Sequence, residues 1–248
     1  MLFFLFRFPV LCFLNAVQRI FILTGAGISA ESGLRTFRDA DGLWEGHKVE
    51  EVATPEAFAA NPELVHNFYN ARRSQLLTVE PNLAHHALVQ LQRKWGDRLT
   101  LVTQNVDDLH ERAGMEKVMH MHGELLKQTC TNCGDVSDCA DRMSIESQCE
   151  ACGEIGCVRP HIVWFGEMPL LMDQIHSKLM QCELFISIGT SGVVYPAAGF
   201  AEEARRHGAS LIEVNLEGTD ISPIFDEHLQ GAATDTVPEL VKRLTDTL

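Results

Sequence analysis

The chain has 248 residues, of which 46% are apolar and 22% are charged, a balance typical of a globular protein with a substantial core. Its formal net charge of −14 argues against nucleic acid as the main partner, because phosphate binding requires a basic face. The same charge is compatible with basic, lysine-bearing protein substrates.

Residues 1–18 form an apolar extension ahead of the first predicted strand. The run from Met1 to Leu14 is apolar apart from Arg7, and Pro9 interrupts it. It resembles the apolar part of a signal peptide, but it lacks a basic start and a clear cleavage site. It is also too short to span a bilayer. We therefore expect no membrane partner and a cytoplasmic location, with an export signal as the alternative interpretation.

The stretch 21–38 has the pattern of a strand that ends in a glycine-rich turn. Residues 17–24 are predicted to form the strand, and residues 25–38 the turn and a short helix. Gly25 and Gly27 have no Cβ atom, so the backbone there could approach a ligand closely. N–H groups at the start of a helix favour an anion such as a pyrophosphate. An ordinary strand–turn–helix is the alternative.

Residues 39–47 distinguish this pattern from that of an ordinary dehydrogenase. Such an enzyme needs a second strand about 20 residues further on, ending in an acid that binds the ribose. Residues 39–47 are instead polar, contain two glycines and show no strand pattern. We therefore expect phosphate binding without the usual ribose contact, beside a loop carrying Arg35, Phe37 and Arg38 that could close over the cofactor.

The rest of the chain alternates predicted helices and strands. Thr54-Pro55 and Asn61-Pro62 each predict a helix start, because a capping side chain precedes a proline. Strands separated by helices predict an α/β fold with a doubly wound, mostly parallel, Rossmann-like sheet. Helices are expected to begin at 54 and to occupy 62–77, 82–94, 197–207 and 237–248, and strands to occupy 99–103, 118–122, 184–188 and 211–214.

Six of the eight cysteines fall between residues 130 and 157. Cys130-x-x-Cys133 and Cys149-x-x-Cys152 form two pairs separated by 15 residues, a spacing that fits a four-thiolate zinc site. Four protein ligands leave no open coordination position, so the ion would be structural. Reduced cysteines or disulfides are the alternative.

These patterns divide the chain into an extension, a main domain, a helical insertion and a smaller zinc-binding module. Cys139 lies between the two cysteine pairs and Cys157 follows the second pair, and both are interpreted as non-ligands. The expected parts are the extension at 1–18, a Rossmann-like dinucleotide-binding domain at 19–53, 96–124 and 158–248, the helical insertion at 54–95 and the zinc-binding module at 125–157.

Polar residues follow the predicted strands, and in open parallel sheets ligands bind beyond the carboxyl ends of strands. Asn105 and Asp107 offer an amide and a carboxylate to a ribose or an amide group. His122 could act as a general base, since histidine has an ordinary pKa of about 6.5. His120 is a rival, because strand alternation would put both rings on one side. The residues expected at this edge are Gly25 to Ser29, Gln104, Asn105, Asp107, His122, Gly189, Thr190, Ser191 and Asn215.

Two further stretches could bind a substrate. Tyr69 and Arg72 share a face of the predicted helix, where a phenol and a guanidinium together could bind a carboxylate. A tyrosine–arginine pair on a solvated helix is the alternative. Residues 163–167 could pair as a strand with an extended peptide, and a buried strand is the alternative there.

Together these motifs resemble the sirtuin family of NAD-dependent protein-lysine deacylases over residues 20–245. The chain is most similar to the bacterial cobalamin-operon type. That type belongs to a class whose members also remove succinyl and malonyl groups and carry a Tyr-x-x-Arg pair, which Tyr69 and Arg72 match. The motifs that carry the resemblance are Gly25 to Ser29, Thr36-Phe37-Arg38, Thr103 to Asp107, His122-Gly123, the two cysteine pairs and Gly189-Thr190-Ser191.

The resemblance implies an enzyme with one structural zinc ion, acyl-lysine proteins as substrates and NAD as a consumed co-substrate. The acyl-lysine carbonyl oxygen would attack C1′ of the nicotinamide ribose and expel nicotinamide. His122 would then take a proton from a ribose hydroxyl, which attacks the imidate carbon, and water would complete the release of O-acyl-ADP-ribose and free lysine. Asn105 and Asp107 would position the nicotinamide ribose and carboxamide. ADP-ribosyl transfer from the same site is the nearest alternative, and a zinc-knuckle binding module without catalysis is another class.

The resemblance also assigns the binding residues. Those implied for NAD are Gly25, Ala26, Gly27, Ile28, Ser29, Thr36, Phe37, Arg38, Trp44, Gln104, Asn105, Val106, Asp107, Gly189, Thr190, Ser191, Asn215, Leu216, Glu217 and Ala233. Those implied for the acylated substrate are Tyr69, Arg72, Val163, Trp164, Phe165, Gly166 and Glu167.

Overall fold

The computed structural model describes residues 17–34 and 47–246. Within them the chain forms a six-stranded parallel sheet and a separate three-stranded antiparallel sheet. The predicted α/β, doubly wound, Rossmann-like fold is therefore confirmed. The predictions made for residues 1–16 and for Thr36, Phe37, Arg38 and Trp44 lie outside the described residues.

The strands of the large sheet are β1 Ile20–Thr24, β2 Leu99–Thr103, β3 Met119–His120, β7 Leu184–Ile188, β8 Ser210–Asn215 and β9 Glu227–Gln230. Those of the small sheet are β4 Gly123–Cys130, β5 Val136–Asp138 and β6 Val158–Ile162. In space the large sheet has the order β3-β2-β1-β7-β8-β9. The chain leaves β1 for β2 on one side and later fills the other side from β7, so the order reverses beside β1. Ligands bind at the carboxyl ends of strands at such a switch point.

The helices are α1 Val49–Val52, α2 Pro55–Ala60, α3 Pro62–Leu76, α4 Leu83–Trp95, α5 Leu109–Arg112, α6 Met172–Leu179, α7 Phe200–Arg206 and α8 Ala233–Asp246. The predicted cap is confirmed, since Thr54 Oγ1 accepts the N–H of Ala57 at 3.0 Å. The helix start predicted at Asn61-Pro62 is confirmed as well, and there Asn61 Oδ1 accepts the N–H of Leu64 at 3.1 Å. In the described ranges, none of the helices has the length and apolar character needed to cross a membrane.

The sequence predictions differ from the structure at several elements. The strand expected at 118–122 is limited to β3, Met119–His120. The helix expected after Gly27 is wrong over the described residues, where Ala26–Ile28 and Ala30–Ser32 form two single 3₁₀ turns. Helix α8 begins at Ala233 and not at 237; Glu31 accepts hydrogen bonds there from Thr234 N and Oγ1 at 3.0 and 2.6 Å. The sequence also gave no sign of β9, whose residues are mainly polar and half-buried.

The core lies on both faces of the large sheet, as a doubly wound fold requires. All five residues of β1 are buried, and their side chains alternate between the two faces. Ile20 and Ile22 join the apolar cluster formed with α4 and α8, whereas Phe21 and Leu23 join the cluster formed with α6 and α7. The central strand is therefore fixed from both sides, which holds the polar loop that follows it in one place.

Candidate active site

A cleft of about 1330 Å³ opens at the carboxyl ends of β1, β2, β7 and β8. Ile28 does not line it, because that side chain is fully buried in the core. The cleft brings together the other sequence-predicted residues of the described ranges, apart from the cysteines: Gly25, Ala26, Gly27, Ser29, Tyr69, Arg72, Gln104, Asn105, Val106, Asp107, His122, Val163, Trp164, Phe165, Gly166, Glu167, Gly189, Thr190, Ser191, Asn215, Leu216, Glu217 and Ala233.

Three glycines allow the loops after β1 and β7 to interlock at the floor of this cleft. Gly25 N–H donates to Ile188 O at 2.9 Å, and Gly27 N–H donates to Gly189 O at 2.8 Å. A Cβ atom on Gly27 would lie 2.6 Å from Gly189 Cα, and one on Gly25 would lie 2.8 Å from Gly189 O. These contacts show that the close packing of the two loops requires the glycines. From the sequence pattern alone, this requirement could not be distinguished from close approach of the backbone to a ligand.

Ser29, Asn105 and Asp107 form a buried hydrogen-bonded chain. Ser29 Oγ donates to Asp107 Oδ2 at 3.0 Å and accepts from Asn105 Nδ2 at 3.1 Å. Leu109 N–H donates to the other carboxylate oxygen at 3.2 Å. Burial raises the pKa of Asp107, while the bonds from Leu109 and Ser29 oppose that rise. The network fixes the amide and the carboxylate beside the first glycine loop.

His122 is held in one tautomer. Its Nδ1 lies 3.0 Å from the carbonyl oxygen of Gln104. Because a carbonyl can only accept, Nδ1 must carry the proton, which makes Nε2 the basic nitrogen of the neutral ring. Burial lowers the pKa of His122, although the bond to Gln104 opposes the shift. The ring is therefore neutral near pH 7 and has the form that a general base requires.

His120 differs from His122 in both setting and charge. Strand β3 ends at His120 and His122 lies in the following turn, so the expectation that alternation would put both rings on one side does not apply. His120 Nδ1 faces Asn105 O at 3.2 Å, and its Nε2 faces Glu111 Oε1 at 2.7 Å. Both partners are acceptors, so His120 donates twice and has no basic nitrogen to offer. The structure thus separates the two histidines that spacing could not.

Tyr69 and Arg72 project from α3 into the cleft. Tyr69 is fully buried, and Trp164 Nε1 donates to its hydroxyl oxygen at 2.9 Å, so the phenol proton is directed away from Trp164. Burial raises the pKa of Tyr69, and the phenol stays neutral. The Arg72 guanidinium carbon lies 5.8 Å from the centre of the Phe68 ring. The pair combines a neutral hydroxyl and a cation at one wall of the cleft.

Residues 163–167 form a loop after β6 that lines the cleft. The backbone N–H groups of Val163, Trp164 and Phe165 donate to His122 O, Glu167 Oε2 and Ala53 O at 2.9, 2.8 and 3.0 Å. The Glu167 carboxylate also accepts two bonds from Arg159, at 2.6 and 2.9 Å. Any pairing of a peptide with these three residues would therefore use their carbonyl oxygens.

Asn215 and Gln104 meet at Thr190 near the far end of the cleft. Asn215 Nδ2 donates to Thr190 O at 2.8 Å, and Gln104 Nε2 donates to Thr190 Oγ1 at 2.9 Å. On β8, two residues before Asn215, the buried Glu213 accepts from Thr219 Oγ1 at 3.0 Å and contacts His228 Nδ1 at 2.8 Å. Glu213 does not line the cleft, and its bonds hold β8 to β9 and to the loop that follows β8.

The four paired cysteines form a compact sulfur cluster. All four Sγ atoms lie within 4.8 Å of one another, with Cys130 to Cys152 at 3.7 Å and Cys133 to Cys149 at 3.8 Å. A tetrahedron with Zn–S bonds of about 2.3 Å has S···S edges of roughly 3.8 Å, so the donor set fits one zinc ion. Cys157 Sγ lies 3.3 Å from Cys130 Sγ but is not part of the four-membered group.

Comparison with known proteins assigns the chain to a family. Residues 25–196 match the model of the Sir2 family, and the chain belongs to that family. A relative from Escherichia coli (strain K12) is 57% identical over 228 residues, which cover 91% of this chain and 82% of its own. That relative is named NAD-dependent protein deacylase.

Solved structures agree with this assignment. A complex of a Sir2 homolog with NAD is 39% identical and has a TM-score of 0.87, covering 96% of this chain and 93% of its own. A Sir2–p53 peptide–NAD⁺ complex is 30% identical, with a TM-score of 0.77 and 96% of both chains covered. The resemblance to the sirtuin family inferred from the motifs is therefore confirmed.

Proposed function

We propose that this chain is an NAD-dependent protein-lysine deacylase that removes acetyl and succinyl groups and releases nicotinamide, O-acyl-ADP-ribose and free lysine. The observation that carries the proposal is the tautomer of His122. Its Nδ1–H is held by Gln104 O at 3.0 Å, which makes Nε2 the basic nitrogen in a cleft that Asn105 and Asp107 also line. Membership of the Sir2 family supports the same activity.

The cleft suits NAD together with an acyl-lysine chain. Its volume of about 1330 Å³ exceeds the roughly 300–1,000 Å³ common for single small-molecule sites. NAD supplies a ribose C1′ from which nicotinamide departs. The residues proposed to hold it are Gly25, Ala26, Gly27 and Ser29 at the pyrophosphate, Gln104, Asn105, Val106 and Asp107 at the nicotinamide ribose and amide, and Gly189, Thr190, Ser191, Asn215, Leu216, Glu217 and Ala233 at the adenosine half. Thr36, Phe37, Arg38 and Trp44 stay predictions for the same cofactor.

His122 acts as the proton acceptor for a ribose hydroxyl in this proposal. The lowered pKa keeps the ring neutral at pH 7, so it can accept a proton without first losing one. Asn105 and Asp107 are pre-ordered by Ser29, which limits the reorganisation needed when substrate binds. The protein thus orients the bound substrates through Asn105 and Asp107 and supplies one mild base, His122.

Tyr69 and Arg72 explain the proposed choice of acyl group. A succinyl group ends in a carboxylate, and arginine binds carboxylates with charge-assisted hydrogen bonds. Trp164 fixes the Tyr69 hydroxyl from the other side at 2.9 Å. An acetyl group has no carboxylate and would leave this pair unused, so the pair favours succinyl and malonyl substrates. Val163 to Glu167 would bind the backbone of the acylated peptide.

The zinc ion proposed for Cys130, Cys133, Cys149 and Cys152 is structural, because four thiolates complete its coordination. The net charge of −14 supports basic proteins, and neither nucleic acid nor membrane, as partners. Cysteines Cys130 to Cys182 of the described ranges are unbridged, which supports a reducing compartment such as the cytoplasm.

One assay tests the proposal. Purified protein is incubated with NAD and either an acetyl-lysine or a succinyl-lysine peptide, and the products are identified by mass spectrometry. The proposal expects free lysine peptide, nicotinamide and O-acyl-ADP-ribose in equal amounts. ADP-ribose added to a protein without loss of the acyl group would support the transferase alternative, and absence of any NAD turnover would refute enzymatic activity.

A further inference from the structure

Two histidines hold two successive carbonyl groups of the loop that follows β2. His122 Nδ1 donates to Gln104 O at 3.0 Å, and His120 Nδ1 donates to Asn105 O at 3.2 Å. His122 lines the cleft, whereas His120 is only 6% exposed and lies behind the loop, outside the cleft wall. The proposed mechanism uses His122 and leaves His120 unexplained.

His120 is anchored from outside by Glu111. Its Nε2 lies 2.7 Å from Glu111 Oε1, a carboxylate on α5 that does not line the cleft. Because His120 contacts a carbonyl on one side and a carboxylate on the other, both nitrogens must donate and the ring is an imidazolium. Burial alone would lower the pKa of His120, but the hydrogen bond and charge of Glu111, together with the charge of Glu124 and the bond to Asn105 O, outweigh it, and the pKa is raised.

Three carboxylates around His120 favour this imidazolium. Carboxylates face it from α5, from the loop after β2 and from β4: Glu111, Asp107 and Glu124. The two histidines that share its surroundings, His110 on α5 and His161 on β6, have pKa values lowered by burial and are neutral. The cation therefore has one hydrogen-bonded carboxylate, Glu111, and two further carboxylates that interact with it electrostatically.

We propose that His120 is a positioning residue for the deacylation reaction: Glu111 holds it, and it fixes the Gln104–Asp107 loop from behind, so that Asn105 and Asp107 keep their alignment with His122. This inference rests on the proposed deacylase function. The two histidines of the Met-His-Met-His sequence at 119–122 then have different roles: His122 accepts a proton, and His120 supports the loop.

A pH dependence follows from the two hydrogen bonds of His120. When the ring loses one proton, the carboxylate of Glu111 retains the remaining N–H, and the Nδ1 lone pair then faces the lone pairs of Asn105 O. The loop contact is thus present below the raised pKa of His120 and lost as pH rises through it. His122 sets the opposite limb, since it must be neutral to act. The profile of kcat against pH is therefore bell-shaped, with one histidine on each side.

The decisive variant is Glu111→Gln, which preserves size and an acceptor oxygen but removes the charge that holds the His120 proton. We expect the alkaline limb of the kcat profile to move to lower pH while the acid limb, set by His122, stays in place. His120→Leu removes both bonds and is expected to lower kcat about 10- to 100-fold, as small misplacements of catalytic groups do. His120→Asn keeps a donor for Asn105 O and should recover part of that loss.

The chain contains a matched control in His176 on α6, whose Nδ1 contacts Glu203 at 3.2 Å; neither residue lines the cleft. Glu203→Gln and His176→Leu should leave the kcat profile unchanged. Thermal melting and zinc content confirm that each variant is folded. An unchanged alkaline limb in Glu111→Gln, or wild-type kcat in His120→Leu, would overturn the inference.

A readout without turnover separates this inference from the proposed function. NMR titration of the histidine rings should give His120 a pKa above 6.5 in the wild-type protein and a lower value in Glu111→Gln, whatever reaction is catalysed. A wild-type protein that shows this shift but does not deacylate would refute the function alone. A deacylase in which His120 titrates at or below 6.5 would refute the positioning role alone.

Discussion

His122 donates through Nδ1 to the carbonyl oxygen of Gln104 across 3.0 Å, and this one bond decides which nitrogen of the ring is basic. The same carbonyl belongs to the loop that carries Asn105 and Asp107. The base and the groups that would hold the nicotinamide ribose are therefore set relative to one another by the backbone, and not by contact with substrate.

The hydrogen bond between His122 and Gln104 O predicts that two substitutions of His122 have different effects on activity and on stability. His122→Asn can keep a donor to Gln104 O but has no base, so we expect kcat to fall roughly 10²- to 10⁴-fold with little change in melting temperature. His122→Leu should lose both the base and the bond and should melt at a lower temperature. Steady-state kinetics and calorimetry check this, and near-normal kcat in His122→Asn would assign the base to another residue.

The acid limb of the pH profile follows from the pKa of His122. Burial lowers that pKa below its ordinary value of 6.5, so the ring stays neutral at a lower pH than a solvent-exposed histidine would. We expect kcat to rise with pH through this lowered pKa, with a midpoint below 6.5. A midpoint above 6.5 would contradict the assignment of the limb to His122.

Arg72 should separate succinyl from acetyl substrates. Arg72→Met removes the cation, and since a hydrogen bond to a charged group contributes about 1.5–3 kcal/mol, kcat/KM for desuccinylation should fall roughly 10- to 100-fold. Deacetylation should change little, because the acetyl group has no carboxylate. Arg72→Lys is the matched control, since it keeps a charge without the planar fork. Equal losses for both peptides in Arg72→Met would refute the role of Arg72 as the carboxylate receptor.

The cysteine cluster predicts which thiols retain zinc. Substituting Cys149 with Ser should abolish stoichiometric zinc binding and lower the melting temperature, because Cys149 Sγ lies 3.8 Å from Cys133 Sγ within the four-sulfur group. Cys157→Ser should keep about one zinc per chain, although its sulfur lies 3.3 Å from Cys130 Sγ. Metal analysis of the two purified variants provides the comparison. Loss of zinc from Cys157→Ser would make that residue a ligand.

Local signals in the sequence were sufficient for much of the fold. The caps at Thr54 and Asn61 act within one turn, so their pattern is visible in a few residues and the helix starts were predicted correctly. The apolar runs of β1, β2 and β7 predicted strands for the same reason. The turns after Gly25 were mistaken for a helix because tertiary contact with Gly189, far along the chain, determines their shape.

The candidate site also depends on contacts between residues distant in sequence, which local patterns could not predict. Spacing could not choose between His120 and His122, because the choice depends on where β3 ends and on Glu111, whose bond to His120 forms only in the folded chain. The contact of Glu213 with His228 could not be predicted, because His228 lies on β9, a strand that the sequence did not predict. Sequence motifs therefore indicated which residues gather at the cleft, while the charge and tautomer of each depended on partners distant in sequence.

Gly189 provides the last test, since it is required on two separate grounds. Its φ of +61° lies in the left-handed region, and an added Cβ would lie 2.5 Å from Ile28 N in the first glycine loop. Gly208 also has a positive φ, +90°, but a Cβ there meets nothing within 4 Å. Gly208→Ala should therefore cost about 1 kcal/mol for backbone conformation alone. Gly189→Ala should cost roughly 2–4 kcal/mol, because overpacking adds to that strain. Urea unfolding of the two variants measures the difference. Equal losses of stability would show that the loops after β1 and β7 can separate without cost, and that the glycines are not needed for their packing.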